Sequence, residues 1–355
     1  DTNNRGDNAS DMGDNLVVDL GTGRTAKAIA AGSDHTCAIL LDNASIKCWG
    51  YNASGQLGLG DTNNRGDGSN PMGDSLPSVD LGSGRTAKAI AAGGNHTCAI
   101  LDNESIKCWG KNASGQLGIG NTNNRGDGSN PMGDSLPVVD LGSERTAKVI
   151  VAGGSHTCTI LDDSSIKCWG ENDQGQLGLG NTTDSPNASL VDMGSGITAK
   201  AIAAGESHTC AILNNSSIKC WGRASEGQIG LIKGDNNIGD GVGEMGIEES
   251  KLAKMGTGRT ATAIAAGKYH NCAILDNSSI KCWGANASGQ LGLGHTNNRG
   301  ADEGGTDQMG DELPSVDLGT GRTARGIIAG DNQTCAILDN ASIKCWGSNI
   351  SGELG

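Results

Sequence analysis

Apolar residues in this chain come in short runs set between stretches of Gly, Asn, Asp and Ser, and no run shows the three-to-four spacing of an amphipathic helix. One stretch shows the order clearly. Ala87–Ala92, His96–Leu101 and 105–109 follow one another closely, and 136–141 follows after a long polar loop. This pattern predicts four short strands joined as an antiparallel blade. The first run is rich in Ala, as suits an innermost strand near an axis where bulky side chains would collide.

The blade repeats. GRTAKAIAAGGNHTCAILDNESIKCWGKNASGQLGIG (84–120) returns as ERTAKVIVAGGSHTCTILDDSSIKCWGENDQGQLGLG (144–180), and six copies are present. Their tryptophans, Trp49, Trp109, Trp169, Trp221, Trp283 and Trp346, are spaced by 60, 60, 52, 62 and 63 residues. The expected fold is therefore all-β, a six-bladed β-propeller of four-stranded antiparallel blades forming one domain over 1–355. The last copy stops before its fourth strand, while 1–7 matches the loop at 61–67 and 16–20 matches 76–81. The N-terminal strand 16–20 is expected to complete the last blade and close the ring.

Within one copy Ala92-Gly93, His96-Thr97, Trp109-Gly110 and Asn112-Ala113-Ser114-Gly115-Gln116-Leu117-Gly118 fall in register. The chain thereby resembles the regulator of chromosome condensation repeat family over essentially its whole length. The resemblance implies a β-propeller, although the best-known members have seven blades and lack a Cys pair in each.

Twelve cysteines form six such pairs: Cys37 with Cys48, Cys98 with Cys108, Cys158 with Cys168, Cys210 with Cys220, Cys272 with Cys282, and Cys335 with Cys345. In a hairpin turning at Asp102-Asn103-Glu104, opposed residues have numbers summing to 206, and 98 with 108 satisfies this. The sulfurs should face one another across adjacent strands, within bridging reach. The extra residue at Leu40-Leu41 lengthens the first turn without moving the opposed cysteines. One pair per blade cannot gather four thiolates on one ion, so disulfides are expected rather than metal. Their abundance places the protein outside the cytosol, extracellular or on the cell surface, by way of the secretory pathway or a periplasm. Asn-x-Ser/Thr sequons point the same way, with Asn43, Asn52, Asn103, Asn112, Asn215, Asn277, Asn286, Asn340 and Asn349 as glycosylation candidates.

Composition narrows the function. A net charge of -14 opposes a nucleic-acid role, and no apolar stretch is long enough to insert in a membrane. With 59 Gly, six Trp, two Tyr and no Phe, few aromatics are left to stack on sugars. His35, His96, His156, His208 and His270 recur at one blade position, where Gln333 stands in the sixth copy; Gln replaces a hydrogen-bonding residue better than a metal ligand. Lys47, Lys107, Lys167, Lys219, Lys281 and Lys344 also recur, for a solvated or blade-bridging role.

No resident cofactor is expected. The one metal candidate is Ca²⁺ at Asp61, Asn63, Asp67 and Asp74, although Arg65 occupies a ligand position and an Asx-turn loop explains the same residues. Arg-Gly-Asp at Arg5, Arg65 and Arg125 travels with the repeat and reads Arg299-Gly300-Ala301 in the fifth blade. No nucleophile, base and orienting-acid set emerges, so the chain reads as a non-enzyme. The expected function is an extracellular protein-binding or scaffold propeller. A carbohydrate-binding module, or one ring of a longer array or filament, is the alternative, with a protein, a further copy or glycans as partners. Antiparallel order puts the long loops after each third strand on one face, with the turns at Asn43, Asn103, Asn215, Asn277 and Asn340 on the other. In the fourth blade the stretch 223–250 abandons the repeat and adds Glu244, Glu248 and Glu249, which marks the long-loop face for recognition.

Overall fold

The computed structural model describes residues 17–68, 71–231, 236–300 and 308–355. Each copy of the repeat makes one antiparallel sheet. The first three blades hold β1 (Ala26–Ala31), β2 (His35–Leu40) and β3 (Ile46–Gly50); β4 (Ala87–Ala92), β5 (His96–Leu101) and β6 (Ile106–Gly110); and β7 (Ala147–Ala152), β8 (His156–Leu161), β9 (Ile166–Gly170) and β10 (Ser185–Leu190). The last three hold β11 (Ala199–Ala204), β12 (His208–Leu213) and β13 (Ile218–Gly222); β14 (Ala261–Ala266), β15 (His270–Leu275) and β16 (Ile280–Gly284); and β17 (Ala324–Ala329), β18 (Gln333–Leu338) and β19 (Ile343–Gly347).

The blade is three-stranded, not four-stranded as the apolar runs suggested; only the third sheet gains a fourth, β10. The segment at 76–81 runs beside β3 but gives it a single bond, from Val79 N to Ile46 O at 2.8 Å. Val139, Ala253 and Val316 repeat that one bond to Ile106, Ile218 and Ile280. Pro77, Pro137 and Pro314 remove a donor from three of these segments. The far end is also drawn to the next blade, where Leu81 O accepts from Lys107 Nζ at 3.0 Å.

Closure by 16–20 is likewise not formed as a sheet: the described strands make six separate sheets and no closed one. Leu16 lies outside the described residues, as do the loop at 1–7 and residues 301–307 of the fifth-blade loop. Val17–Leu20 carry no strand. They rest on the first blade instead, Asp19 O accepting from Gly73 N and Leu20 O from Lys47 Nζ at 2.8 Å.

Two compact units divide the chain. One holds the described residues up to Glu171 with Thr183–Leu190; the other holds Asn172–Thr182 with Val191–Gly355. In each, the core lies between consecutive blades. Ile39, Ile46 and Leu57 pack against Ala87, Ala99, Leu101 and Trp109 in the first unit, and Ile274, Ile280 and Leu291 against Ala324, Ala336 and Leu338 in the second.

All six disulfides are present, with no free cysteine. Each joins residues directly opposed in the second hairpin, Cys98 facing Cys108 and Cys37 facing Cys48. In the second blade Glu104 closes the turn at φ 66°, donating from N to Leu101 O. The first blade does the same one residue later, from Ala44 N to Leu40 O.

Candidate functional site

The recurring polar residues serve the joints between blades. Gln56 follows β3 in the loop Asn52-Ala53-Ser54-Gly55-Gln56-Leu57-Gly58, which Asn52 organises: its Oδ1 accepts from Leu57 N and its Nδ2 donates to Asp61 O and Asn63 O. The Gln56 carbonyl then takes two bonds from the second blade, from Thr97 Oγ1 at 2.9 Å and Trp109 Nε1 at 3.0 Å. Since the Thr97 hydroxyl hydrogen is spent on Gln56, its oxygen accepts from His35 Nε2 at 2.8 Å, which fixes the ring as the Nε2–H tautomer. The same relay joins His96 to Thr157 and His270 to Thr334. In the fifth blade Asn271 replaces Thr, donating through Nδ2 to Gln228 O and accepting from His208 Nε2 through Oδ1.

The joint leaves no room beside the ring. A Cβ added to Gly93 would lie 2.3 Å from His96 Cε1 and 2.4 Å from Gly153 O, so the Ala-Gly step of the repeat is a close-approach requirement. Burial pushes His35 and His208 down to about 4, and His96 and His270 to about 3. These rings are neutral structural ties, as Gln333 in their place suggested.

Four of the recurring lysines, Lys47, Lys107, Lys219 and Lys281, donate to backbone carbonyls, whereas Lys344 is exposed. Lys107 Nζ donates to Leu81 O and Gly133 O, and Lys47 to Leu20 O and Gly73 O. Fully buried Lys219 donates to Glu244 O and Gly246 O, and burial lowers it to about 8.

The candidate Ca²⁺ donors are not brought together. Asp61 pairs with Arg65 Nη2 at 2.6 Å and accepts from Asn63 N; although burial works against the charge, these partners hold its carboxyl below the usual range. Asp74 is taken by the side chain and backbone of Thr22, which lower it too. Among the described residues no three His, Cys, Asp or Glu converge as a metal site would require. Arg65 is bound to its own loop, so its Arg-Gly-Asp does not stand free; that of Arg5 lies outside the described residues.

The sequons divide by structure. Asn43, Asn103, Asn215, Asn277, Asn340 and Asn349 are exposed. Asn52, Asn112 and Asn286, by contrast, are fully buried with Nδ2 donating to backbone carbonyls, which closes them to modification in the folded chain and corrects the expectation from sequence.

A groove of about 740 Å³ opens in the fourth blade, where the sequence leaves the repeat. Ser207 enters it from the β11–β12 turn, and Arg223, Ser225, Asn236, Asn237, Asp240 and Glu244 from the segment after β13, so the two kinds of connection meet on one face as antiparallel order requires. Asp173 and Gln174 complete the wall. The groove is organised from within: Asn237 Nδ2 donates to Gln174 Oε1 at 3.1 Å, and Gly239 N and Gly241 N both donate to Glu244 Oε2. Burial first, and the facing Glu244 carboxyl second, raise the Asp240 pKa. Arg223 bonds Ser225 Oγ and lies 4.8 Å over the Tyr269 ring. The site thus offers carboxylates, amides and one anchored guanidinium in an open polar cleft. Sequence reading marked Glu244 but not Asp173, Gln174, Asp240 or Tyr269; the break in the repeat was the available signal, and Asp173 and Gln174 sit in a loop that still obeys it.

A family model described as the RCC1-like domain matches residues 4–303. The ultraviolet-B receptor UVR8 of Arabidopsis thaliana is 27% identical over 351 residues, covering 97% of this chain and 70% of the receptor. Human E3 ubiquitin-protein ligase HERC2 is 25% identical over 272 residues, 76% of this chain but 5% of that protein, so the chain corresponds to a small part of the ligase. Among solved structures, yeast RCC1 (Prp20), in a complex with Kap60, superposes with a TM-score of 0.69 at 18% identity, covering 92% of this chain and 71% of that one, and thus shares the propeller fold.

Proposed function

The chain belongs to the RCC1-like domain family, and from that premise we propose that it is a protein-recognition propeller of an extracellular or cell-surface compartment, binding through the fourth-blade groove. The observation that carries this reading is the groove itself, built where an otherwise repetitive chain departs from its repeat. A net charge of -14, with Asp173, Asp240 and Glu244 in the wall, favours a partner presenting a basic segment. Six disulfides in three-stranded blades favour an oxidising compartment, reached through a secretory pathway or a periplasm. The solved complex of RCC1 with Kap60 is a precedent for protein binding on this fold.

A carbohydrate module finds less support. Trp109, Trp169, Trp221 and Trp283 are fully buried, and the Tyr269 face is occupied by Arg223. The binding role needs neither a cofactor nor catalysis. The exposed Asn43, Asn103, Asn215, Asn277 and Asn340 all sit in the turn of the second hairpin of their own blade, which glycans would shield.

The test is affinity capture from the native source with three baits: the wild type, a triple variant Arg223→Ala, Asp240→Asn, Glu244→Gln, and a turn variant Asn103→Ala, Glu104→Gly. A protein held by the wild type and the turn variant but released by the triple variant is the expected result. Retention by the triple variant with loss on the turn variant would overturn the assignment.

A further inference from the structure

Lys219, on β13, is a fully buried cation with no carboxylate at ion-pair distance among the described residues. Its counterparts divide their bonds between two segments. Lys47 and Lys107 each give one to the segment before their blade's first strand, at Leu20 O and Leu81 O, and one to a glycine after its third, at Gly73 O and Gly133 O. Lys219 gives both to the stretch after β13, to Glu244 O at 3.1 Å and Gly246 O at 3.2 Å. Met245-Gly246 stands where Met132-Gly133 stands in the second blade, so Gly246 is the ordinary partner and Glu244 the one gained where the sequence leaves the repeat.

Those carbonyls belong to the groove wall. The Glu244 carboxylate accepts from Gly239 N and Gly241 N on either side of Asp240, so Glu244 ties the wall turn 239–246 to the ammonium by its backbone and shapes that turn by its side chain. Lys251 holds Gly243 O from outside and pairs with Glu248 at 3.0 Å. An ammonium held by two amide carbonyls alone has lost its hydration without gaining a counter-charge in contact, which disfavours its charged form. The surrounding charges are few. Glu248 and Glu244 draw the charge in, and Lys251 repels it. Across the hairpin β12 sets uncharged Ala211 opposite, and Asp192, in the place of the Asp80 that faces Lys107, accepts from Gly194 N. Burial first, and Lys251 second, bring Lys219 down to about 8.

We propose that Lys219 is a proton-operated latch on the groove wall: neutral, it lets the turn 239–246 close over it, and protonated, it favours a turn that lifts and admits water to Nζ. The sign follows from linkage. A closed wall holds the amine at its lowered value, whereas a lifted wall returns it to water and to its ordinary value of 10.5, so protons bind preferentially to the lifted form. Closure therefore strengthens as pH rises through 8 toward 10.5 and weakens as it falls. The latch rests on the reading of the groove as a binding site for its use, since it puts Asp240 and Glu244 under proton control. Its test needs no partner.

Hydrogen exchange of the free chain between pH 7 and 10, read by mass spectrometry on the peptide spanning 239–246 and corrected for the intrinsic exchange rate, measures how firmly the wall is closed. Protection should rise about tenfold from pH 7 to pH 9. The buried histidines titrate below this range and do not contribute. Lys219→Met, which keeps an unbranched stem without the charge, should show protection that does not change with pH. A wild-type peptide whose protection stays flat or falls from pH 7 to 9 overturns the latch, and that result stands whether or not the variant folds. So does a folded Lys219→Met that keeps the wild-type slope. A rising wild-type slope in a chain whose groove captures no protein would uphold the latch and remove the binding reading, so the two fail separately.

Discussion

His35, His96, His208 and His270 each sit between a glycine and a hydroxyl or amide of the following blade, and their chemistry is set by burial. A ring whose folded pKa lies below the unfolded value near 6.5 binds fewer protons folded than unfolded, so its stabilisation is complete above pH 6.5 and lost as pH falls toward the folded values of about 3 to 4. From pH 7 to pH 5 each such ring should withdraw on the order of 2 kcal/mol. The melting temperature should therefore drop steeply over that range, and less steeply in His96→Gln, which borrows the residue of the sixth blade. An equal slope in the two proteins would remove histidine burial as the cause. Thr97→Val strands the His35 Nε2–H and leaves the Gln56 carbonyl with Trp109 Nε1 alone, costing about 1–3 kcal/mol by denaturant midpoint. Thr97→Asn should lose much less, because Asn271 already performs both roles.

At the scale of the element, the second hairpin of each blade was the most legible part of the sequence, because opposed cysteines count the turn residue by residue. Cys98 and Cys108 sum correctly only for a three-residue turn, and the structure has it. The fourth strand misled because apolar residues such as Leu76, Val79 and Leu81 do face apolar cores, yet burial says nothing of how many amides reach a neighbouring strand. Pro77 was the visible warning. Sequons misled similarly, since Asn112 is buried by the loop it organises and Asn103 is not. Replacing Cys98 and Cys108 together by Ser should destabilise by roughly 2.5–3 kcal/mol, the chain-entropy value for a loop of about ten residues, and leave the register intact. Unchanged stability in urea would show that the hairpin does not need its bridge.

Over the whole molecule, repetition and its failure carry different information. The copies specify blades and joints, and the fifth blade's Asn271 shows that a joint tolerates a changed residue when donor and acceptor are both kept. The fourth-blade segment abandons the copies and builds a cleft whose walls come from Ser207, Gln174 and Asp240 at once. Its contents were not legible, because no spacing rule places Asp173 beside Glu244. The central claim is that this cleft receives a basic segment of a protein partner. Carbodiimide coupling, which joins a carboxylate to a lysine in direct contact, tests it most directly on the captured wild-type complex. The account predicts cross-links from partner lysines to Asp173, Asp240 or Glu244; cross-links confined to Asp276 and Asp339, in the β15–β16 and β18–β19 turns, would contradict it.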